Sequence, residues 1–260
     1  MADPPAGAPD LFRSLRSATP ARIGLGRAGQ ALPTAPMLAF QSAHARARDA
    51  VHASLDVARL QAQIGQPTIV VDSAAPDRPA YLRNPDLGRR LGSADLSLWK
   101  GDYDLALVVA DGLSATAAHA HAPALIQALL AQLPDWSLAP VVIARQARVA
   151  IGDPVGQALG ARIVVVVIGE RPGLSAADGL SAYITADPKP GRHDSERNCV
   201  SNIRAPEGLA PARAAETIAW LLREARRLGF TGLALKDRRV LSSDAADVTP
   251  PPPRARLDHR

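Results

Sequence analysis

Cys199 is the single thiol of the 260-residue chain, and it lies in Arg192-His193-Asp194-Ser195-Glu196-Arg197-Asn198-Cys199-Val200-Ser201-Asn202-Ile203. A cysteine nucleophile needs a general base within hydrogen-bond reach, and His193 or Asp194 could supply one. Both are close sequence neighbours in an Arg- and Gly-flanked loop, however, and no strand-turn-helix motif such as G-x-S-x-G accompanies them. The segment therefore reads as holding a buried or contact-making thiol rather than a nucleophile. One cysteine also excludes an intrachain disulfide framework and a thiolate-rich zinc site, and it suits a reducing cytosol.

His119 and His121 form an H-x-H within Ala117-Ala118-His119-Ala120-His121. On a strand both would face one side, as metal ligands require. The segment is helix-like, which separates the two imidazoles by roughly 200° around the axis. No Cys, Asp or Glu lies near enough in sequence to complete a ligand set, and His44, His52, His193 and His259 offer no ligand spacing. No metal site is expected.

Gly24-Leu25-Gly26-Arg27-Ala28-Gly29 is a literal G-x-G-x-x-G, with Asp49 further on. A dinucleotide fingerprint places those glycines between a strand and a helix, so that the helix N-terminus faces the pyrophosphate. Thr19-Pro20 leaves too little room for a strand before it, and Pro33 and Pro36 interrupt a helix after it. The segment reads as a Gly-rich loop in close packing. An NAD(P)-binding oxidoreductase stays open as a second reading, and a non-enzymatic interaction protein as a third.

More informative are the residues that follow three apolar runs. Ala110-Asp111-Gly112-Leu113-Ser114 leaves one strand and opens a helix that Ser114 could cap. Arg145-Gln146-Ala147-Arg148-Val149 leads from a second strand into a helix, and Gly169-Glu170-Arg171-Pro172-Gly173 follows a third. Open α/β sheets bind ligands outside the carboxyl ends of their strands. Three such segments on one edge suggest a pocket.

The elements that position these segments follow from periodicity. Leu11 to Arg16 suggests a short helix stopped before Thr19-Pro20. After Pro33 and Pro36, Leu38, Phe40, Ala43, Ala47, Ala50 and Val51 recur at helical spacing, and the helix is expected to continue through Leu55 and Leu60 to Gly65. Strands are expected at Thr68 to Val71, Tyr103 to Ala110, Pro140 to Ala144, Arg162 to Ile168 and Ser181 to Thr185. Helices are expected at Ala115 to Gln132, Val149 to Leu159 and Pro211 to Leu228. The stretch with Pro76, Pro79 and Pro85 is expected to be a loop, as is the one from Thr185 to Pro211, and Leu233 to Leu235 forms a last apolar run. Val164 to Val167 is apolar at consecutive positions, as in a strand covered on both faces. This alternation implies an α/β fold with a mostly parallel sheet and helices on both sides.

Hydrophobic residues make up 47% of the chain and charged residues 21%, so an ordinary buried core is expected. Aromatic residues are only 3%, which leaves that core to Ala, Val, Leu and Ile and leaves few rings for stacking nucleic-acid bases. The net charge of +5 arises mostly from scattered arginines, so no nucleic-acid partner is expected. No apolar stretch approaches the roughly 18 residues of a membrane span, and Met1 to Asp10 lacks the pattern of a secretory signal.

Several long stretches resemble the ethanolamine ammonia-lyase small (light) subunit family. They are Thr19-Pro20-Ala21-Arg22-Ile23-Gly24-Leu25-Gly26-Arg27-Ala28-Gly29, Leu32-Pro33-Thr34 and Phe40-Gln41-Ser42-Ala43-His44-Ala45-Arg46-Ala47-Arg48-Asp49-Ala50-Val51. Downstream come Ile168-Gly169-Glu170-Arg171-Pro172-Gly173-Leu174 and Arg197-Asn198-Cys199-Val200-Ser201-Asn202-Ile203-Arg204. The likeness runs in order from about Leu11 to Lys236.

The resemblance implies a subunit of an adenosylcobalamin-dependent radical lyase that converts ethanolamine to acetaldehyde and ammonia. It implies a large (heavy) subunit as partner, a (β/α)-barrel that holds substrate and adenosyl group, in a hetero-oligomer. The small subunit then contributes no catalytic residue, and its Rossmann-like domain closes over the corrin from the other side. The family's cobalamin contacts fall on Val149, Glu170 and Cys199. The D-x-H-x-x-G pattern that replaces cobalt's lower base with histidine is missing, so the resemblance implies cobalamin with its own dimethylbenzimidazole attached. The expected organisation is a disordered terminus at 1–10, a helical N-terminal section and linker at 11–100, a Rossmann-like cobalamin-binding domain at 101–241 and a Pro/Arg-rich flexible tail at 242–260. The expected location is the cytoplasm, with enclosure in a bacterial microcompartment left open.

Overall fold

A computed structural model of the chain describes residues 12–237, so the terminus expected at 1–10 and the tail expected at 242–260 lie outside the described residues. In chain order the elements are α1 (Arg13–Ala18), α2 (Thr34–His52), α3 (Val57–Ile64), β1 (Thr68–Asp72), α4 (Arg78–Arg83), β2 (Tyr103–Ala110), α5 (Ala115–Ala131), β3 (Val141–Arg145), α6 (Gly152–Leu159), β4 (Ala161–Gly169), β5 (Leu180–Ala186), β6 (Asn198–Ile203) and α7 (Pro211–Leu228). A short 3-10 turn, Val149–Ile151, leads into α6.

The six strands form one sheet in the order β1-β3-β2-β4-β5-β6. The first four strands run parallel, with Val108 opposite Val142 and Val166, and β5 and β6 add an antiparallel extension. The fold is therefore α/β and Rossmann-like, with a mixed but mostly parallel sheet.

Consecutive apolar residues in β2 serve both faces of this sheet. Leu105, Leu107 and Val109 pack with α3, α5 and α7, while Ala106, Val108 and Ala110 pack with α6 and the turn before it. In α7, Ala214, Ala215, Ile218, Leu221, Leu222 and Ala225 form the buried stripe that holds it on the first face. Burial of each such Leu or Ile contributes roughly 1.5–3 kcal/mol, which lets an aromatic-poor core suffice.

Coverage differs at the antiparallel end. Ala182 and Ile184 of β5 join the core under α5 and α7. Ser181 and Tyr183 instead face the cavity described below, together with Cys199 and Ser201 of β6.

Three local expectations are corrected. The stretch from Pro33 to Gly65 is two helices, because the chain turns extended at Ala53 and Asp56 caps α3 by accepting from the Arg59 N–H at 3.0 Å. The Pro-rich loop contains α4, where Asp77 caps the helix and Pro79 occupies a first-turn position that lacks an intrahelical acceptor anyway. The segment around Cys199, expected to be a loop, is the edge strand β6.

Candidate functional site

The loops leaving β2 and β3 diverge to helices on opposite faces, the crevice that open α/β sheets use for ligands. A cavity of about 370 Å³ opens at this carboxyl rim and extends across the antiparallel strands, and Val149, Glu170 and Cys199 all line it. These three residues come from separate segments, one after β3, one after β4 and one on β6.

Glu170 is the most tightly placed of the three. Its backbone N–H donates to the Gly179 carbonyl at 2.8 Å. Its Oε1 accepts from the Ser181 hydroxyl and, at 2.9 Å, from the Asn202 backbone N–H. Gly179 lets the carboxylate lie close to the chain, since a Cβ at that position would stand 2.9 Å from Oε2 and push the side chain aside. Among the described residues Oε2 has no hydrogen-bond donor, so one oxygen anchors the carboxylate and the other is available to a ligand.

Cys199 lies directly across from Tyr183 in the β5–β6 ladder. The residue is exposed, yet neighbouring protein strips enough water from the sulfur to push its pKa up, against hydrogen bonds to Tyr183 and Ser181 that pull it down. The nearby Glu170 charge adds to the rise. Tyr183 is likewise pushed up to about 12, chiefly by burial and then by Cys199. At neutral pH Cys199 is therefore a neutral thiol, suited to contact rather than attack.

Val149 opens the 3-10 turn before α6 and is half-buried. Its position depends on Asp111 at the end of β2, whose carboxylate accepts from the Gln146 and Ala147 N–H groups at 3.0 Å each and from Arg78 at 3.2 Å. Burial raises the Asp111 pKa, opposed by those N–H groups and by Arg78. Arg78 also donates to the Gly112 carbonyl at 2.9 Å and to the Val51 carbonyl at 2.8 Å. Gly112 adopts φ +53°, and a Cβ there would fall 2.3 Å from the Gly169 carbonyl oxygen. The ends of β2 and β4 thus approach closely, the Gly112 backbone against the Gly169 carbonyl and the Ile168 side chain.

Beneath the rim, fully buried Tyr81 donates to the Ala147 carbonyl at 3.0 Å, while Arg78 and Arg148 each sit 4.9 Å from its ring centroid. On the far side, Arg197 fixes the start of β6 through a buried ion pair with Asp153 of α6. Sequence reasoning singled out none of Arg78, Tyr81, Ser181 or Asn202. Tyr81 left one usable signal, an aromatic side chain in a Pro-rich stretch of a chain with only three tyrosines.

Other candidates fall outside this cavity. Ser114 caps α5 as expected, accepting from the Ala117 N–H at 3.2 Å. His119 and His121 lie on α5 and go separate ways: His119 Nε2 accepts from the Asp56 N–H at 3.0 Å, while His121 Nε2 lies 3.3 Å from Asp178 Oδ2. Among the described residues no group of three or more His, Cys, Asp or Glu is placed to hold a metal ion. Among the described residues the glycine-rich segment follows α1 with no strand between them, so its glycines lack the strand-to-helix setting of a dinucleotide fingerprint. No helix among the described residues is long and apolar enough to cross a membrane.

The family model described as "Ethanolamine ammonia-lyase light chain (EutC)" matches residues 9–236. A curated protein of Xanthomonas campestris, named ethanolamine ammonia-lyase small subunit, is 50% identical over 266 residues, covering 96% of this chain and 97% of that protein. Proteins of the same name from Ralstonia nicotianae and Bradyrhizobium diazoefficiens are 51% and 53% identical, over 87% and 86% of this chain and 88% and 89% of their own lengths. With its full sheet inside the matched region, the chain belongs to the ethanolamine ammonia-lyase light-chain (small-subunit) family.

Proposed function

We propose that this chain is the small subunit of an adenosylcobalamin-dependent ethanolamine ammonia-lyase, and that its carboxyl-rim cavity receives one side of the cobalamin at the junction with the large subunit. The observation that carries the reading is the convergence of Val149, Glu170 and Cys199 on one open cavity. The cavity is smaller than a whole cobalamin, so it serves as one wall of a seat that a second chain completes.

The chemistry of that wall fits the group. Corrin side arms are neutral amides that donate and accept hydrogen bonds, and Oε2 of Glu170 is a charged acceptor held in place by the anchoring of Oε1. Val149, Leu113 and Ile168 give apolar surface for the ring edge. Cys199 offers a small polarisable neutral group beside the Tyr183 and Ser181 hydroxyls. When bound, adenosylcobalamin supplies the radical chemistry of its carbon–cobalt bond, and the protein positions it and excludes water. This chain supplies no catalytic residue.

The N-terminal helices support the partner part of the reading. Only Ala43 and Ala50 of α2 are buried, while Phe12, Leu15, Leu32, Met37, Leu38 and Phe40 are exposed large hydrophobics. Apolar side chains concentrated on one section mark a surface that another chain covers. The large subunit is that chain in this proposal, in a cytoplasmic hetero-oligomer.

Co-expression with the large subunit, followed by an anaerobic acetaldehyde assay with and without adenosylcobalamin, tests the proposal. Acetaldehyde is expected only when both chains and the cofactor are present. Ethanolamine turnover by the small chain alone would overturn it.

A further inference from the structure

Among the described residues Arg148 is a fixed cation without a counter-charge. Its backbone N–H donates to the Gly88 carbonyl at 2.7 Å, and its stem packs so close to Gly88 that a Cβ there would stand 3.0 Å from Cγ. Its guanidinium stacks on the buried Tyr81 ring at 4.9 Å, with Arg78 on that ring as well. The Nε is buried with no hydrogen-bond partner. Among the described residues the guanidinium makes no hydrogen bond or ion pair, although it lines the cavity next to Val149. An arginine held this firmly is unlike a solvated surface arginine, since its ordering has been imposed before any partner arrives.

The nearby acids do not neutralise it. Asp111 is occupied by Arg78 and two backbone N–H groups, and Glu170 has Oε1 engaged by Ser181 and Asn202. Arg171 adds a second exposed guanidinium to the same cavity. A planar guanidinium accommodates an oxyanion that presents two oxygens side by side.

We propose that Arg148 is an anion receptor in this cavity and that the group it takes is the phosphodiester in the nucleotide tail of cobalamin. The assignment rests on the cobalamin reading above and deepens it. Corrin amides are neutral, so the phosphodiester is the part of that cofactor whose charge matches Arg148. A single ligand can then span from Glu170 and Cys199 to the stacked guanidinium.

The test compares adenosylcobalamin with adenosylcobinamide, which keeps the corrin and its amides but lacks the phosphodiester and the nucleotide. Affinities are measured by equilibrium dialysis on the assembled two-subunit enzyme, with the corrin absorbance as readout. Arg148→Met is expected to weaken adenosylcobalamin roughly ten- to a hundred-fold and to leave adenosylcobinamide within about two-fold, the range of a lost charge-assisted hydrogen bond. Arg148→Lys, which keeps the charge without the planar fork, is expected to fall between wild type and Arg148→Met, and to decide the matter if the methionine variant does not fold.

Equal weakening of both corrins, or of neither, overturns the phosphodiester assignment. So does a loss of large-subunit co-purification with cofactor affinity unchanged in the complex that remains, which would make the anion an acidic side chain of the partner. Glu170→Ala run in parallel separates the two levels. If it weakens both corrins while Arg148→Met weakens neither, only the phosphodiester assignment fails. If neither variant changes any affinity, the cavity is not the cobalamin seat.

Discussion

Arg197 and Asp153 meet through two parallel contacts of 2.7 Å, with side chains only 1% and 2% exposed. The guanidinium also donates to the Thr185 hydroxyl at 2.8 Å and the Arg192 carbonyl at 3.1 Å. One residue thus ties β5, β6 and the first turn of α6 together, two positions before Cys199. Burial alone would lower the Arg197 pKa, but the hydrogen bonds and charge of Asp153 raise it overall.

Removing one partner of such a pair leaves a buried charge without compensation. Arg197→Met is expected to cost about 3–5 kcal/mol in urea unfolding, and Asp153→Asn to be destabilising as well. The double variant Asp153→Leu/Arg197→Met should recover part of that loss, because no lone charge remains. Single variants within about 0.5 kcal/mol of wild type, the range of ordinary surface substitutions, would show that the pair does not hold β6.

Glu170→Ala removes the carboxylate whose free oxygen faces the cavity. In the assembled enzyme it is expected to weaken adenosylcobalamin by roughly ten-fold or more while changing substrate affinity much less. Equal effects on cofactor and ethanolamine would count against the placement of Glu170 on the corrin side.

Cys199 gives a pH prediction, since its thiol pKa is raised. A raised value keeps the neutral thiol at pH 7 and delays the thiolate to higher pH. With one cysteine in the chain, iodoacetamide labelling reports on this residue alone. Labelling of the small subunit should rise with pH through a midpoint above the free-thiol value of about 8.5, and cofactor in the assembled enzyme should suppress it. A midpoint at or below that value would reopen the nucleophile reading.

Gly112→Ala places a side chain in a left-handed conformation and against the Gly169 carbonyl. It is expected to cost about 1–3 kcal/mol for the backbone conformation, with the clash adding to it. A thermal melt of the variant should drop well below wild type, and the assembled enzyme should retain less cofactor. An unchanged melt would mean that β2 and β4 can part at the rim without penalty.

Where burial sets the sequence pattern, the elements were legible: β2 and α7 have the limits expected from their apolar residues. β6 was hidden because only Val200 and Ile203 face the core, while Asn198, Cys199, Ser201 and Asn202 break the apolar alternation that marks a strand. Asn202 also takes φ +55°, and the ladder shifts register near Leu180. Two of those polar residues, Cys199 and Ser201, are turned toward the cavity. For the candidate site, charged residues after apolar runs pointed to the rim where the cavity opens, and the family resemblance selected Val149, Glu170 and Cys199, which line it. The Arg78–Tyr81–Arg148 stack stayed invisible, since Arg78 and Tyr81 share a short helix hidden in a Pro-rich stretch and Arg148 lies far from both in sequence.

Arg78 has one more consequence. Its Nε holds the carbonyl of Val51, at the last turn of α2, and its Nη1 holds Asp111 and the Gly112 carbonyl at the sheet's rim. Pulling α2 outward by an ångström must either stretch a hydrogen bond or drag the rim with it. Under the proposed function, a large subunit docking on α2 would therefore be felt at the cavity rim through this one side chain, beside the packing of α2 on α5.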